Sequence, residues 1–166
     1  MAEIKRTALF GKLNSLGYKA IEGATVFCKM RTNPFVEMVH WIHQILQQPD
    51  SDLHRIIKHF GLDQSRLAAE LTAALDRLPR GAASISNFSS DIEEAVERGW
   101  VFSTLMYSES LVRTGHVVIA LLKTKNLRYL LPELSREFNK VKLDTLTDTF
   151  AQVVAGSPEE ALKATD

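Results

Sequence analysis

The chain has a single cysteine, Cys28, among its 166 residues. One thiol excludes an internal disulfide framework and suits a reducing compartment. Neither sign of charge is in excess: twenty lysines and arginines face twenty aspartates and glutamates. The balance is also local, with ten basic and eight acidic residues up to Pro79 and ten and twelve beyond it. No overall field therefore draws nucleic acid or an anionic membrane. No apolar run approaches the roughly 20 residues that span a bilayer. The opening MAEIKRTALFGKL lacks the apolar stretch of a secretory signal. A soluble, cytoplasmic protein is expected.

Catalytic signatures are missing too. There is no G-x-x-x-x-G-K-[ST]: Gly11-Lys12 has neither the earlier glycine nor the hydroxyl residue that a phosphate loop needs. G-x-S-x-G and the Gly-rich dinucleotide fingerprint are absent. Glu37-x-x-His40 has the helical spacing of a carboxylate-bridged metal site. Its counterpart before His116 begins with Arg113, a cation that repels metal. His40 and His43 could share a metal, but Ile119 stands where a second His43 would be. His54 and His59 are five apart, too far around a helix for one ligand set. Cys28 lies on an apolar face without a named base, as a small core residue does. Trp41 and Trp100 lie on apolar helical faces and are expected in the core. No catalytic residue, metal or cofactor is expected in this chain.

What is present is helical periodicity. Leu9, Leu13, Leu16, Ala20, Ala24 and Phe27 advance by three or four, as one helical stripe does. Phe35, Val39, Ile42 and Leu46 form the next. Leu53, Ile56, Ile57 and Phe60 predict a short helix, capped by Asp50 or Ser51 and stopped by Gly61. Asp63 caps a fourth, with Leu67, Leu71, Leu75 and Leu78, which halts at Pro79. Residues 80–89 read as a polar linker. Ser90 with Glu93 predicts a capping box for the fifth. Further helices are predicted at 115–124, 126–137 and 142–155, with Pro132 bending or ending the seventh. No stretch alternates as a strand. The fold class is all-α: four helices, a linker and four helices.

The two sets of four match each other. His40 opens HWIHQIL and His116 opens HVVIALL, each four residues after a valine, Val36 or Val112. AIEGATVFCKM (20–30) lies over AVERGWVFSTL (95–105) without a gap, and DLHRII (52–57) over NLRYLL (126–131). Each unit must then cover the apolar face its twin leaves open. A recurring histidine at a helix start reads as structural, hydrogen-bonding a loop or neighbouring helix. Ser15 aligns with Ser90. Repeat one therefore spans 15–79 and repeat two 90–156, related by a pseudo-twofold, and residues 1–14 are an extension outside the duplication. That extension is amphipathic, with Ile4, Ala8, Leu9 and Leu13 among Lys5, Arg6 and Lys12. Gly11, Gly17 and Gly23 each cost roughly 1 kcal/mol against alanine inside a helix. Either a break near Asn14–Ser15 or the close approach of another backbone accounts for them. At the far end, Ser157-Pro158-Glu159-Glu160 is a helix-start signal. It predicts that 157–166 begin a connection within a longer polypeptide.

The paired histidine helices resemble the Clp N-terminal domain. NPFVEMVHWIHQILQ (33–47), DLHRIIKHFGLD (52–63) and ALFGKLNSLGYKAIEGA (8–24) resemble the version carried by ClpV, the AAA+ ATPase family of type VI secretion systems. The resemblance covers nearly the whole chain. It implies a substrate-recognition domain at the front of a hexameric unfoldase. The implied substrate is a subunit of the contractile sheath, whose N-terminal helix docks in a groove so that contracted sheath is taken apart and recycled. ATP and magnesium would belong to nucleotide-binding modules that this chain lacks. The N-terminal domain of a general Clp disaggregase, which binds exposed apolar segments or an adaptor, is the alternative. The extension argues against it.

Helix-in-groove recognition needs an apolar trough, small residues and a few charges for register. The extension offers Leu9, Leu13 and Leu16, its glycines, and Lys5, Arg6 and Lys12, and the linker offers Ile85 and Phe88. The expected groove has walls of Leu9, Leu13 and Leu16 and is closed by Phe88.

Overall fold

Local capping chemistry sets most helix boundaries in the computed structural model, which describes residues 4–162. Helix α1 (Arg6–Phe10) is short and separate from α2 (Ser15–Met30). The Asn14 side chain starts α2 by accepting from the Gly17 amide at 3.0 Å. The break near Asn14 thus accounts for Gly11. At neither Gly17 nor Gly23 does another backbone come close: a Cβ on Gly17 would make ordinary contacts, 3.4 Å from the Asn14 side chain. The Gly17 carbonyl accepts from the Trp41 indole at 3.2 Å, and a Cβ on Gly23 would lie 2.6 Å from the Gln44 side chain.

Strand β1 (Phe35–Val36) precedes α3 (Met38–Leu46). Phe35 therefore belongs to no helix. Helix α4 (Asp52–His59) is capped by the Ser51 hydroxyl, which accepts from the His54 amide at 3.1 Å. It ends before Gly61, whose φ of +68° suits glycine. Helix α5 (Gln64–Asp76) is capped by Asp63 and buries Leu67, Leu71 and Leu75.

Strand β2 (Asn87–Phe88) leads into α6 (Ser90–Tyr107). The cap of α6 is Ser89, not Ser90, and Glu93 pairs with Arg6 at 3.4 Å instead of closing a box. Helix α7 (Thr114–Lys123) follows as predicted. Beyond it the predicted long helices fragment. A 3-10 turn at Lys125–Leu127, α8 (Leu130–Leu134) and a 3-10 turn at Arg136–Lys140 replace the span 126–137. Pro132 lies in the first turn of α8, where its missing N–H removes no helical bond. The last predicted helix divides into α9 (Leu143–Asp148) and α10 (Phe150–Val153). The Thr147 and Thr149 hydroxyls bond back to carbonyls at 143–145, a habit that weakens the ladder.

The duplication is visible in three dimensions. Helix α2 packs on α3 as α6 packs on α7, and one apolar core runs through both units. The units also exchange edges. β1 pairs in parallel with β2, Val36 opposite Phe88, and Leu13 forms a parallel bridge with Val112. The Ser89 amide donates to the Val36 carbonyl at 2.8 Å, and the Asn14 amide donates to the Val112 carbonyl at 3.0 Å. Each lead-in thus pairs with the valine before the other repeat's histidine. Leu13 and Asn14 are therefore counterparts of Phe88 and Ser89, so the end of the extension lies inside the duplication. Pairings two residues long are too brief for an alternating pattern to register.

His40 and His116 occupy the third position of α3 and α7. His40 Nδ1 accepts from the Glu37 amide at 2.9 Å, and His116 Nδ1 accepts from the Arg113 amide at 3.1 Å. Both satisfy an amide ahead of the helix, as the structural reading of the repeated histidine expects.

The Ser157 region forms a 3-10 turn, Pro158–Ala161, with Pro158 in its first position. This segment, expected to begin a connection within a longer polypeptide, is packed into the domain through buried Ser157 and Glu159. Residues 163–166 of that expected connection lie outside the described residues.

Candidate functional site

A five-residue helix has no stability of its own, so α1 is placed by what it touches. Leu9 and Phe10 face inward, and α1 lies against α6. The Phe10 ring meets Phe88 edge-on at 5.4 Å, and the Arg6 guanidinium stands 4.8 Å from the Phe88 ring. Arg6 also donates to the Asn87 side chain. The extension and the linker, more than seventy residues apart, thus form one surface.

The side chains divide unevenly on that surface. Leu13 is 1% exposed, Leu9 8% and Leu16 9%. These leucines lie beneath the extension instead of standing as open walls, because the bridge to Val112 turns Leu13 into the core. Ile85 and Phe88 are half-buried against the core and reach the outside. Lys12 is exposed, its ammonium 5.5 Å from the Trp100 ring. Trp100 is 37% exposed while Trp41 is wholly buried, which corrects the expectation that both are core. Sequence reasoning missed Trp100 as part of this surface and Phe10 as the packing partner of Phe88. The i, i+4 spacing of Arg6 and Phe10 was the available signal.

The two repeated histidines and the cysteine are each held by close neighbours. His40 uses both nitrogens, the second with the Asn33 side-chain oxygen at 2.9 Å. Burial, with Arg31 and His43 nearby, pulls His40 down to about 4. His116 packs against Tyr107 and Phe150, whose rings also meet each other at 5.0 Å, and burial beside Arg113 pulls it down to about 3. The Cys28 thiol donates to the Asn33 and Phe35 carbonyls, and burial pushes it up, away from thiolate. Among the described residues, no group of three or more His, Cys, Asp or Glu side chains is placed to hold a metal ion. None of the described helices is long and apolar enough to cross a membrane. A pocket of about 680 Å³ opens between α3, α4 and α5, lined by Leu46, Ile57, Leu67 and Leu71 and rimmed by His43 and His54. Neither the extension nor the linker lines it.

A second polar centre joins the two repeats. Arg113 makes a bidentate pair with Asp52, both bonds 2.8 Å, where Asp52 is wholly buried. Glu159 from the C-terminal turn bonds to Asn14, Asp52 and Thr114 beside it. No local pattern of residues signals that Asn14, Asp52, Arg113, Thr114 and Glu159 belong together.

Comparison with known proteins agrees with this architecture. Residues 14–134 match the family described as the Clp repeat (R) N-terminal domain. The chain is 63% identical over its full length to the AAA+ ATPase ClpV1 of Pseudomonas aeruginosa, covering 18% of that protein. It is 42% identical over 163 residues to the chaperone protein ClpB of Yersinia enterocolitica, 98% of this chain and 18% of that one. It therefore spans under a fifth of the length of these relatives. A structure from work on the coevolution of the ATPase ClpV, the TssB-TssC sheath and the accessory HsiE protein superposes with a TM-score of 0.93 at 64% identity, covering 96% of this chain and 98% of that one. A complex of a ClpV N-domain with a VipB peptide superposes with a TM-score of 0.81 at 26% identity, covering 96% and 97%. With its double helical repeat, reciprocal edge pairing and paired cap histidines, the chain belongs to the Clp repeat N-terminal domain family and is similar over nearly its whole length to the N-domains of ClpV.

Proposed function

We propose that this domain recognises a subunit of the type VI contractile sheath by binding its N-terminal helix, and so delivers contracted sheath to a ClpV-type ATPase for disassembly. The observation that carries this reading is the meeting of extension and linker at Phe10 and Phe88. A related ClpV N-domain has been seen in complex with a VipB peptide, which supports a peptide as occupant. The docking residues are Lys12, Ile85 and Phe88, with Leu9, Leu13 and Leu16 as the apolar support beneath. Hexamer formation, cytoplasmic location, and the ATP and magnesium chemistry belong to the proposal for the longer protein. This chain contributes binding alone, without turnover of its own.

Titration of a labelled sheath N-terminal peptide into Phe88→Asp, Ile85→Asp and Lys12→Glu variants tests the site, with helicity checked for each. Leu13→Asp is a poor probe because Leu13 belongs to the core. Losing one apolar anchor removes roughly 1.5–3 kcal/mol, a weakening of about tenfold or more. Folded Phe88→Asp and Ile85→Asp variants that bind like wild type would place the groove elsewhere. The 42% identity to a protein named ClpB favours a second reading, a disaggregase domain that captures unfolded segments. Preference for unfolded casein over the sheath peptide would select it.

A further inference from the structure

The C-terminal turn supplies a buried carboxylate that reaches Asn14, the residue at which the extension enters α2. Glu159 is buried where three segments meet. One of its oxygens accepts from the Asn14 side-chain amide at 3.0 Å and from the Thr114 backbone amide at 2.8 Å. The other accepts from the Asp52 backbone amide at 2.6 Å and from the Thr114 hydroxyl at 2.5 Å. All four partners can donate, so an ionised carboxylate satisfies every one of them. Burial and the adjacent Asp52 carboxylate push Glu159 up, against the pull of those donors. Asp52 and Thr114 are the first residues of α4 and α7. A single side chain therefore closes a helix start from each repeat, where unpaired amides and the helix dipole favour an anion.

Asn14 links this centre to the extension. Its side-chain oxygen caps α2 through the Gly17 amide while its NH2 donates to Glu159. Its own amide pairs with Val112, and the Val112 amide returns to the Lys12 carbonyl at 2.7 Å. Only a side-chain amide offers both the cap acceptor and the donor from one planar group. Helix α1 is too short to set its own position, and these anchors at its C-terminal end act beside its contacts with α6 and Phe88.

We infer that Glu159 is a positioning residue for the partner surface: by holding Asn14 it fixes the register in which the extension presents Lys12 and packs Phe10 against Phe88. This rests on the reading that the sheath helix docks there. The residue touches no partner in this scheme. It acts through Asn14 and ties the C-terminal turn to the element that meets the partner.

Asn14→Asp is the sharpest probe. Aspartate caps α2 as well as asparagine does, but it replaces the donor with a second carboxylate facing Glu159. Amide exchange would be followed at Asn14 (or its replacement) and Val112, with α3 amides as the internal reference, beside titration of the labelled sheath peptide. The expected result is exchange about tenfold faster at positions 14 and 112, unchanged protection in α3, and peptide affinity about tenfold weaker, as losing a bond to a charged group implies. Asn14→Ser keeps a cap without adding charge and should change both readouts in the same direction by less. A folded Asn14→Asp domain with wild-type affinity overturns the inference, whether or not exchange quickens. If Asn14→Asp does not fold, Asn14→Ser decides, and wild-type affinity there has the same consequence. A wild-type domain that ignores the peptide sinks the partner reading instead, and exchange alone then decides whether Glu159 holds the extension.

Discussion

The two repeats place a histidine at the same turn of the same helix, yet the residues in front of them have different roles. Before α3 stands Glu37, half-buried, with burial and Asp91 pushing its carboxyl up. Before α7 stands Arg113, which reaches across to Asp52 in the other repeat. Arginine has no acceptor, so only the histidine half of a capping box exists in repeat two. The lesson is that duplication preserved the backbone cap and released the side chain ahead of it. Repeat two used that freedom to bind the units together. Its trailing helices are also shorter than α4 and α5, and Phe150 from α10 fills the space beside His116.

The largest expected effect breaks this asymmetry directly. Arg113→Ala leaves the wholly buried Asp52 without its partner and should cost roughly 3–5 kcal/mol. Glu37→Ala, at the equivalent place, should stay within about 1 kcal/mol. Paired urea denaturation of the two variants measures the difference. Equal costs would mean that the inter-repeat ion pair is not what distinguishes the halves.

Acid should next reveal the two histidines together. Both folded values, about 4 for His40 and about 3 for His116, lie below the ordinary 6.5. The unfolded chain therefore takes up their protons first. Stability is complete above pH 6.5 and is lost as pH falls towards these folded values. By pH 5 each histidine should have removed roughly 2 kcal/mol. Unfolding free energies at pH 7 and pH 5 for wild type, His40→Gln and His116→Gln check this. Each substitution should remove about half of the drop.

A glycine sharpens the contrast further. Gly115 occupies the place that Val39 fills in repeat one. A Cβ at Gly115 would lie 2.7 Å from the Phe150 ring and 2.9 Å from the Asp52 carboxylate. Gly115→Ala should cost about 1–3 kcal/mol through overpacking, although alanine is the better helix former. Thermal unfolding of Gly115→Ala reads it, and a stabilised variant would show that α10 moves aside freely.

The smallest effect concerns the exposed edge of the extension. Lys12→Glu exchanges a cation near Trp100 for an anion at a solvated site. Peptide affinity should change by under about 1 kcal/mol, and the residual effect should shrink as salt is raised. A tenfold loss that persists at high salt would make Lys12 an anchor instead of a rim charge.

Residues 33–63 were the most legible part of the chain. Of the two expected caps for α4, Asp50 or Ser51, Ser51 serves, and Asp63 caps α5 as expected, because a cap bonds to an amide two or three residues away. The histidine pair was legible for the same reason. The candidate surface was half legible: the extension and linker were singled out, and they do meet. Which of their side chains face outward was hidden, since Leu13 and Phe88 hold equivalent places in the duplication but differ in depth. Trp100 misled because an apolar stripe gives a helix's inner face only when its neighbours cover the whole stripe.

The sequence by itself determined the helical class, the duplication and the caps of α4 and α5 to within a residue, since each depends on spacings of about four residues or on direct recurrence. Tertiary structure decided the exchange of edges between Leu13 and Val112 and between Val36 and Phe88, and the joining of Arg113 to Asp52. It also decided that Glu159 reaches Asn14, 145 positions away. Such contacts depend on how whole helices pack before any two side chains can meet, and no local pattern of residues encodes that distance.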